Sequence, residues 1–286
     1  MTADYERNGL GREQIVTQLL YADLTYAIRG VLMQVHSALG PGLPEAFYDE
    51  AASIGFQEAG IACERQKSFY VYYENVQVGH YIPDATFEGN KVLLDYKVEN
   101  EITALHKAQV ISYLKVTDAD LGLVVNFGAA SLQVERLPNF LRDKQLKFKW
   151  QPHPLPDDML YPDLTAQLFC CLHRVHFTLG PGFLHPVYRR ATMVESERSG
   201  FNCRYVKELP VHFHDHHLGN VPCRLIVVED KIAIAAFALR EVGQAEQTAL
   251  HVRLRQLDLQ LGLLANFHDT RLSIHPVRVT AKGDLA

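Results

Sequence analysis

The octapeptide Val35-His36-Ser37-Ala38-Leu39-Gly40-Pro41-Gly42 has a second version 140 positions later, Val175-His176-Phe177-Thr178-Leu179-Gly180-Pro181-Gly182. The same offset carries Leu20-Tyr21 and Asp23-Leu24-Thr25 onto Leu160-Tyr161 and Asp163-Leu164-Thr165, Tyr48 onto Tyr188 and Cys63 onto Cys203. Towards the end it carries Leu121-Gly122-Leu123 and Asn126-Phe127 onto Leu261-Gly262-Leu263 and Asn266-Phe267. One spacing held from head to tail marks a tandem duplication, with repeats over about 16–140 and 156–280. Two domains are expected, 1–143 and 159–286, joined by a semi-stiff linker at 144–158 that contains Pro152, Pro154 and Pro156.

Outward from the Gly-Pro-Gly turn, each repeat reads the same way. Asp23 and Thr25 are candidate N-caps of a helix running to about Ala38, and a second helix spans about Pro44 to Glu58, closed by Gly60. Phe69 to Tyr73 alternates as a strand. Val78 to Phe87 is its expected hairpin partner across Glu74-Asn75, and Lys91 to Lys97 is a third strand after Glu88-Gly89-Asn90. Ile102 to Lys115 reads as a helix, Leu121 to Phe127 as an apolar strand and Leu132 to Leu137 as a shorter one. The order α-α-β-β-β-α-β-β predicts an α/β fold in which a mixed sheet is flanked by helices, once per repeat.

The composition is that of an ordinary globular protein: 286 residues, 48% apolar and 21% charged. The start, Met1 to Arg12, is polar and no apolar run is long enough to span a bilayer, so a cytoplasmic protein without membrane contact is expected. Five cysteines without a CxxC pair support neither a disulfide framework nor a cysteine zinc site. The net charge of −5 hides two unlike halves. Residues 1–143 hold 11 Lys and Arg against 19 Asp and Glu, net −8, and residues 144–286 hold 17 against 14, net +3.

The chemistry-bearing constellation lies in the first repeat. Pro83-Asp84 ends one strand, and Asp95-Tyr96-Lys97 lies eleven residues further on the next. Neighbouring strands can bring the two carboxylates together, and Asp95 and Lys97 share a face because side chains alternate. Two hard carboxylates plus the Tyr96 carbonyl suit Mg²⁺ or Mn²⁺. A lysine beside them can orient a water and offset charge on a phosphate. Both acids fall on apolar strands, where an unpaired carboxylate is costly.

Pro83-Asp84…Asp95-Tyr96-Lys97 resembles the signature of the PD-(D/E)XK nuclease superfamily, and Gly42-Leu43-Pro44-Glu45-Ala46-Phe47-Tyr48 resembles the motif that names the GxxExxY proteins. The resemblance covers nearly all of the first repeat. It implies a nuclease fold and a Mg²⁺- or Mn²⁺-dependent site in which Asp84, Asp95 and Glu45 hold metal and Lys97 assists the attacking water. Gln109 to Tyr113 is similar to the QxxxY motif of the RecB-like branch, which implies a backbone-positioning role for Gln109 and Tyr113. Tyr48 is a further candidate for positioning nucleic acid; core packing with a bonded hydroxyl is the alternative for both tyrosines. Nucleic acid, DNA favoured, is the partner implied.

At the same offset the second repeat loses this set. Glu45 becomes His185, Asp84 becomes Arg224, Asp95 becomes Ala235, Lys97 becomes Phe237, Gln109 becomes Ala249 and Tyr113 becomes Arg253. A slip of one residue puts Cys223 or Leu225 opposite Asp84, so no acid returns. Asp49, Glu50, Glu58 and Glu64 become Arg189, Arg190, Arg198 and Arg204. These changes predict either a degenerate nuclease repeat that holds nucleic acid or a basic interface to the acidic first repeat. The expected function is a single-site nuclease with a pseudonuclease repeat. The alternative is a catalytically silent binding or regulatory protein on the same fold, and the duplication could mimic a dimer if no true homodimer forms. His212-Phe213-His214-Asp215-His216-His217 reads as a loop rather than a zinc site, His36 and His176 as structural, and His106 as a residue at the edge of the site.

Overall fold

The computed structural model describes residues 19–140, 147–152 and 154–279. The polar start Met1 to Arg12 and the first part of the linker lie outside the described residues. Helix α1 (Ala22–Leu39) buries Ile28, Val31, Leu32 and Val35, whose spacing makes one apolar stripe. Its N-cap is Tyr21 in a left-handed conformation rather than Asp23 or Thr25. The Thr25 hydroxyl turns back to donate to the carbonyls of Tyr21 at 2.9 Å and Ala22 at 3.1 Å, so it sits inside the first turn. Gly40 ends the helix at φ +67°. Helix α2 (Glu45–Glu58) is locked to the turn by fully buried Tyr48, whose hydroxyl donates to the Gly40 carbonyl at 2.7 Å and accepts from the Leu43 amide at 3.1 Å.

The remaining elements of the first repeat are β1 (Glu64–Arg65), β2 (Phe69–Tyr73), β3 (Val76–Tyr81), β4 (Ala85–Phe87), β5 (Val92–Lys97), α3 (Ala104–Thr117), β6 (Leu121–Asn126) and β7 (Gln133–Pro138). The sheet order is β1-β4-β5-β6-β7, with β5 and β6 parallel and the other pairs antiparallel. β2 and β3 form a separate hairpin that closes at Glu74-Asn75, both at positive φ as a tight two-residue turn requires. The single strand expected over Val78 to Phe87 is therefore two strands. Ile82-Pro83-Asp84 interrupts it, because proline offers no amide to a ladder.

The second repeat has α4 (Pro162–Leu179), α5 (His185–Arg198), β8 (Cys203–Phe213), β9 (His216–Val228), β10 (Ile232–Phe237), α6 (Gln244–Gln256), β11 (Leu261–Asn266) and β12 (Ser273–Arg278). Its sheet runs β12-β11-β10-β9-β8, again with one parallel pair, β10 and β11. Here the hairpin strands continue unbroken from the sheet. The interruption survives only as a bulge: Val206 pairs with Leu225 and Glu208 with Pro222. Arg224 sits in that bulge at φ +58°. The bulge also corrects the alignment. Phe87 lies opposite Val92, whereas Val228 lies opposite Ile232, so the offset is 141 at this strand and Leu225 occupies the Asp84 register. Arg224 is an inserted residue, not a replacement.

Helices α1 and α2 cover one face of the first sheet through Val92, Leu94, Leu121 and Leu123. The other face, with α3 and the β2–β3 hairpin, shares one apolar core with α4, α5 and the second sheet. Helix α6 covers the far face of that sheet. The repeats thus stack head to tail, α3 side against α4–α5 side, and not as the twofold pseudo-dimer that a duplication suggests. The junction is specific. Tyr73 donates to Glu195 Oε2 at 2.8 Å, and Glu195, only 1% exposed, also pairs with Arg174 at 3.0 Å and Arg198 at 3.2 Å. Arg198 reaches Glu74 at 3.1 Å and Arg190 donates to the Val78 carbonyl at 3.2 Å. Two of the four arginines expected to form a nucleic-acid face are therefore spent on this junction, and Arg204 pairs with Asp230 at 3.1 Å. In the described part of the expected linker, Phe148 packs on Phe177, and Arg174 lies over its ring.

A Cβ on Gly79 would come within 2.5 Å of Val187 Cγ2, so the hairpin can approach α5 only at a glycine. Gly79→Ala is expected to destabilise the full chain by about 1–3 kcal/mol through overpacking. Glu195→Ala, which strands the Tyr73 hydroxyl and takes the carboxylate from Arg174, should cost about 2 kcal/mol or more. Denaturant unfolding of both variants is the measurement, and unchanged midpoints would show that this contact does not join the repeats.

Candidate active site

Strand β5 carries the centre of the site. Asp95 and Lys97 point to the same side, and Lys97 Nζ lies 2.5 Å from Asp95 Oδ2. Asp95 is buried, and Lys97 meets its charge at that oxygen. Asp84 comes in from the interruption before β4. The β4–β5 ladder ends at Ala85 and Leu94, and the Tyr96 amide donates instead to Asp84 Oδ2 at 2.6 Å. A side chain thus takes the backbone donor that the broken strand leaves over.

The electrostatics follow from crowding acids in a poorly solvated place. Burial and the Asp95 charge push Asp84 up to about 7, against the Tyr96 amide bond, which favours its ionised form. Asp95 is also raised, chiefly by burial, although Lys97 pulls the other way. Glu45, at the start of α2, is raised by desolvation and by Asp95, with Lys97 opposing. Tyr81, at the end of β3, stacks on Tyr113 at 3.8 Å between ring centres, and its buried hydroxyl has no hydrogen-bond partner among the described residues. Burial, with Asp95 next, holds that hydroxyl well above its ordinary range.

Lys97 and Glu45 face a cleft of about 700 Å³ that is lined also by Glu99, His106 and Gln109 of the first repeat and by Arg240, His268 and Asp269 of the second; Asp84 and Asp95 are not part of its lining. Glu99 and Arg240 form an ion pair across it. Asn126 fixes the loop after β5 by accepting from the Glu99 amide at 2.9 Å and donating to its carbonyl at 2.8 Å, and Asn266 does the same for Leu239. That explains why Asn-Phe recurs. His106 closes a capping box at the start of α3, its Nδ1 accepting from the Thr103 amide at 3.2 Å. Burial and Lys97 lower its pKa.

Several sequence expectations need correction. Tyr48 is fully buried with its hydroxyl bonded at the Gly-Pro-Gly turn, and Tyr188 repeats the arrangement, donating to the Gly180 carbonyl at 2.7 Å. Tyr113 is buried at the junction and donates to the Gly182 carbonyl at 2.8 Å. Neither tyrosine is placed to touch nucleic acid. Glu45, Asp84 and Asp95 are neighbours but do not form a cage: among the described residues, no three His, Cys, Asp or Glu side chains gather closely enough to hold a metal ion. Asp84 is tied to the Tyr96 amide, Asp95 faces Lys97 and Glu45 stands exposed at a helix start. The donor set still suits a hard divalent cation, since all three offer carboxylate oxygen and the buried Tyr81 hydroxyl makes no hydrogen bond among the described residues. Tyr81, Arg240 and His268 were not foreseen; comparing Tyr81 with its counterpart Val221 would have flagged the first. The histidines at 212–217 lie in the exposed β8–β9 hairpin, and His36 bonds the Ala129 carbonyl as His176 bonds that of Asp269, a shared structural role.

Because folded Asp84 keeps its proton until about pH 7 while an unfolded aspartate releases it near 3.8, the folded state loses relative stability as pH rises through that window. In metal-free buffer, Asp84→Asn should therefore gain stability relative to the parent between pH 4 and 7. Thermal melts across that range test this, and a parallel pair of curves would contradict it.

No described helix is long and apolar enough to cross a membrane. No curated protein and no solved structure significantly matches the chain. A family model for the PD-(D/E)XK nuclease superfamily matches it twice, over residues 22–137 and 162–278. Together with two sheets of the same strand order, each flanked by helices, the double match shows that this chain belongs to the PD-(D/E)XK nuclease superfamily and carries its fold in tandem.

Proposed function

We propose that the chain is a divalent-metal-dependent nuclease, with DNA the favoured substrate and one working site, in the first repeat. The observation that carries this reading is the buried Asp84–Asp95 pair with Lys97 beside it, Lys97 itself lining the cleft between the repeats. Burying two acids together is destabilising unless a cation joins them. Asp84, Asp95 and the Tyr96 carbonyl would hold Mg²⁺ or Mn²⁺, with Glu45 at the outer side. A cation there supplies the charge that acidifies a bound water and neutralises phosphate oxygens. Lys97, released from Asp95, keeps a proton donor and a positive charge beside the attacked phosphate. Gln109 offers an amide to the strand, and Arg240, with His268, gives the opposite wall a cation contributed by the second repeat. The Gly42–Tyr48 segment supports placing the first repeat with the GxxExxY type, its glycine and tyrosine building the turn that presents Glu45. Domain limits at about 143 and 159 and a role as pseudonuclease for the second repeat belong to the same reading.

A second reading has its own support. The Lys97–Asp95 contact and the lack of a three-ligand cluster among the described residues fit a silent, binding or regulatory member of the superfamily. The two readings part in one experiment. With Mg²⁺ or Mn²⁺ the chain should melt at a higher temperature and cleave DNA or RNA; one site per chain should leave nicks in a duplex. Asp95→Asn or Lys97→Ala should lower cleavage about a hundredfold or more with the fold retained. Cleavage that is no higher in the parent than in Asp95→Asn would leave the silent reading standing.

A further inference from the structure

The second repeat has a cavity of its own at the place where the first repeat keeps its acids. It measures about 420 Å³ and is lined by His185, Arg189, Arg224, Leu225, Phe237 and Arg253, among others. Ala235 and Phe237 stand at the registers of Asp95 and Lys97, and Leu225 at that of Asp84, so the floor is apolar. The three arginines come from three different elements: α5, the β9 bulge and α6. Among the described residues no carboxylate forms an ion pair with any of them. The one acid in the lining, Glu246, is engaged in capping α6, accepting from the Gly243 amide at 2.8 Å.

What the arginines do bond leaves donors spare. Arg253 gives one donor to the Pro222 carbonyl at 3.1 Å, and Arg189 gives one to Tyr205 at 3.3 Å while its buried Nε has no partner. Arg224 is exposed and makes no hydrogen bond among the described residues. His185 accepts from the Ala238 amide through Nδ1 at 2.8 Å, which puts its ring proton on Nε2 and makes that nitrogen another donor. Burial, Arg189 and Arg224 all lower the His185 pKa, a sign that these cations crowd one space.

Guanidinium groups left without carboxylates, converging on a concave site with an apolar floor, match a phosphate group in both charge and donor geometry. We propose that this cavity is an oxyanion site that binds a phosphate group, with Arg224, Arg253 and Arg189 as its donors. Guanidinium groups around this apolar floor would meet a phosphate directly, with no cation between. The cavity exceeds a bare phosphate, so a nucleotide unit fits as well as the free ion. The proposal does not depend on cleavage in the first repeat.

The test uses the full chain with excess EDTA, so that no divalent ion occupies the acidic site. Calorimetric titration with inorganic phosphate should show binding in the parent and in Asp95→Asn alike. Arg224→Ala should weaken it about tenfold or more, and Arg224→Ala with Arg253→Ala should abolish it, while Arg224→Lys keeps part. Since Arg253 also ties down the Pro222 carbonyl, melting temperature is read alongside, and the exposed Arg224→Ala variant alone suffices if the double variant misfolds. A labelled single-stranded oligonucleotide displaced by phosphate would identify the source as a strand. Phosphate binding with the oligonucleotide unaffected would identify a free phosphate, and the oxyanion site stands in both cases. No phosphate binding by the parent, or undiminished binding by folded Arg224→Ala, overturns it.

Discussion

The bond from the Tyr96 amide to Asp84 Oδ2, 2.6 Å long, is the contact on which the rest of the first repeat turns. Pro83 cannot extend the β4–β5 ladder, and the donor that the ladder abandons is taken by the next side chain. Three consequences follow from that one interruption. Asp84 is fixed beside Asp95; the β2–β3 hairpin is freed from its sheet; and the freed hairpin lies on α5 of the second repeat. Site formation and the joining of the repeats thus share a cause. In the second repeat the strands run on through a bulge, the hairpin stays with its sheet, and the acidic residue is absent.

The two repeats bury acids for different reasons. Asp95 is surrounded by Lys97 and a second carboxylate, Asp84, whose pKa rises to about 7, an arrangement that destabilises a protein with nothing bound. Glu195, by contrast, is met by two arginines and a tyrosine hydroxyl, so its charge is compensated on every side. At the registers of Asp95 and Lys97 the second repeat has alanine and phenylalanine, whereas the counterpart of Glu195 in the first repeat is Gly55. A buried acid that serves packing is fully paired. One that is left strained is best explained by a ligand.

The duplication, the helices and a mixed sheet in each repeat were legible in the sequence, because apolar spacing and local turn chemistry act over short distances. The interruption at Pro83 was there to be read but was overridden by the β-rich run around it. The inserted residue in β9 was hidden for another reason. The next turn is one residue shorter, Glu229 to Lys231 against Glu88 to Lys91, so the offset of 140 is restored immediately and no gap shows. Arg240 and His268 could not be foreseen, since they reach the first site from the other repeat. The destinations of Arg190 and Arg198 at the junction were equally out of reach of a single-chain charge pattern.

Head-to-tail stacking also decides what each copy's pocket is made from. Joining the α3 side of the first repeat to the α4–α5 side of the second brings Arg240 and His268 to the first repeat's cleft, whereas the second repeat's cavity is lined by second-repeat residues alone. The first cleft is accordingly framed by both repeats, with Lys97 and Glu45 on one wall and Arg240 and His268 on the other. The second cavity has alanine, phenylalanine and leucine at the registers of Asp95, Lys97 and Asp84, and the arginines around that apolar floor stay charged at any physiological pH and are weakly hydrated. One fold in two copies thus carries two differently charged pockets, and the stacking decides which of them receives side chains from both repeats.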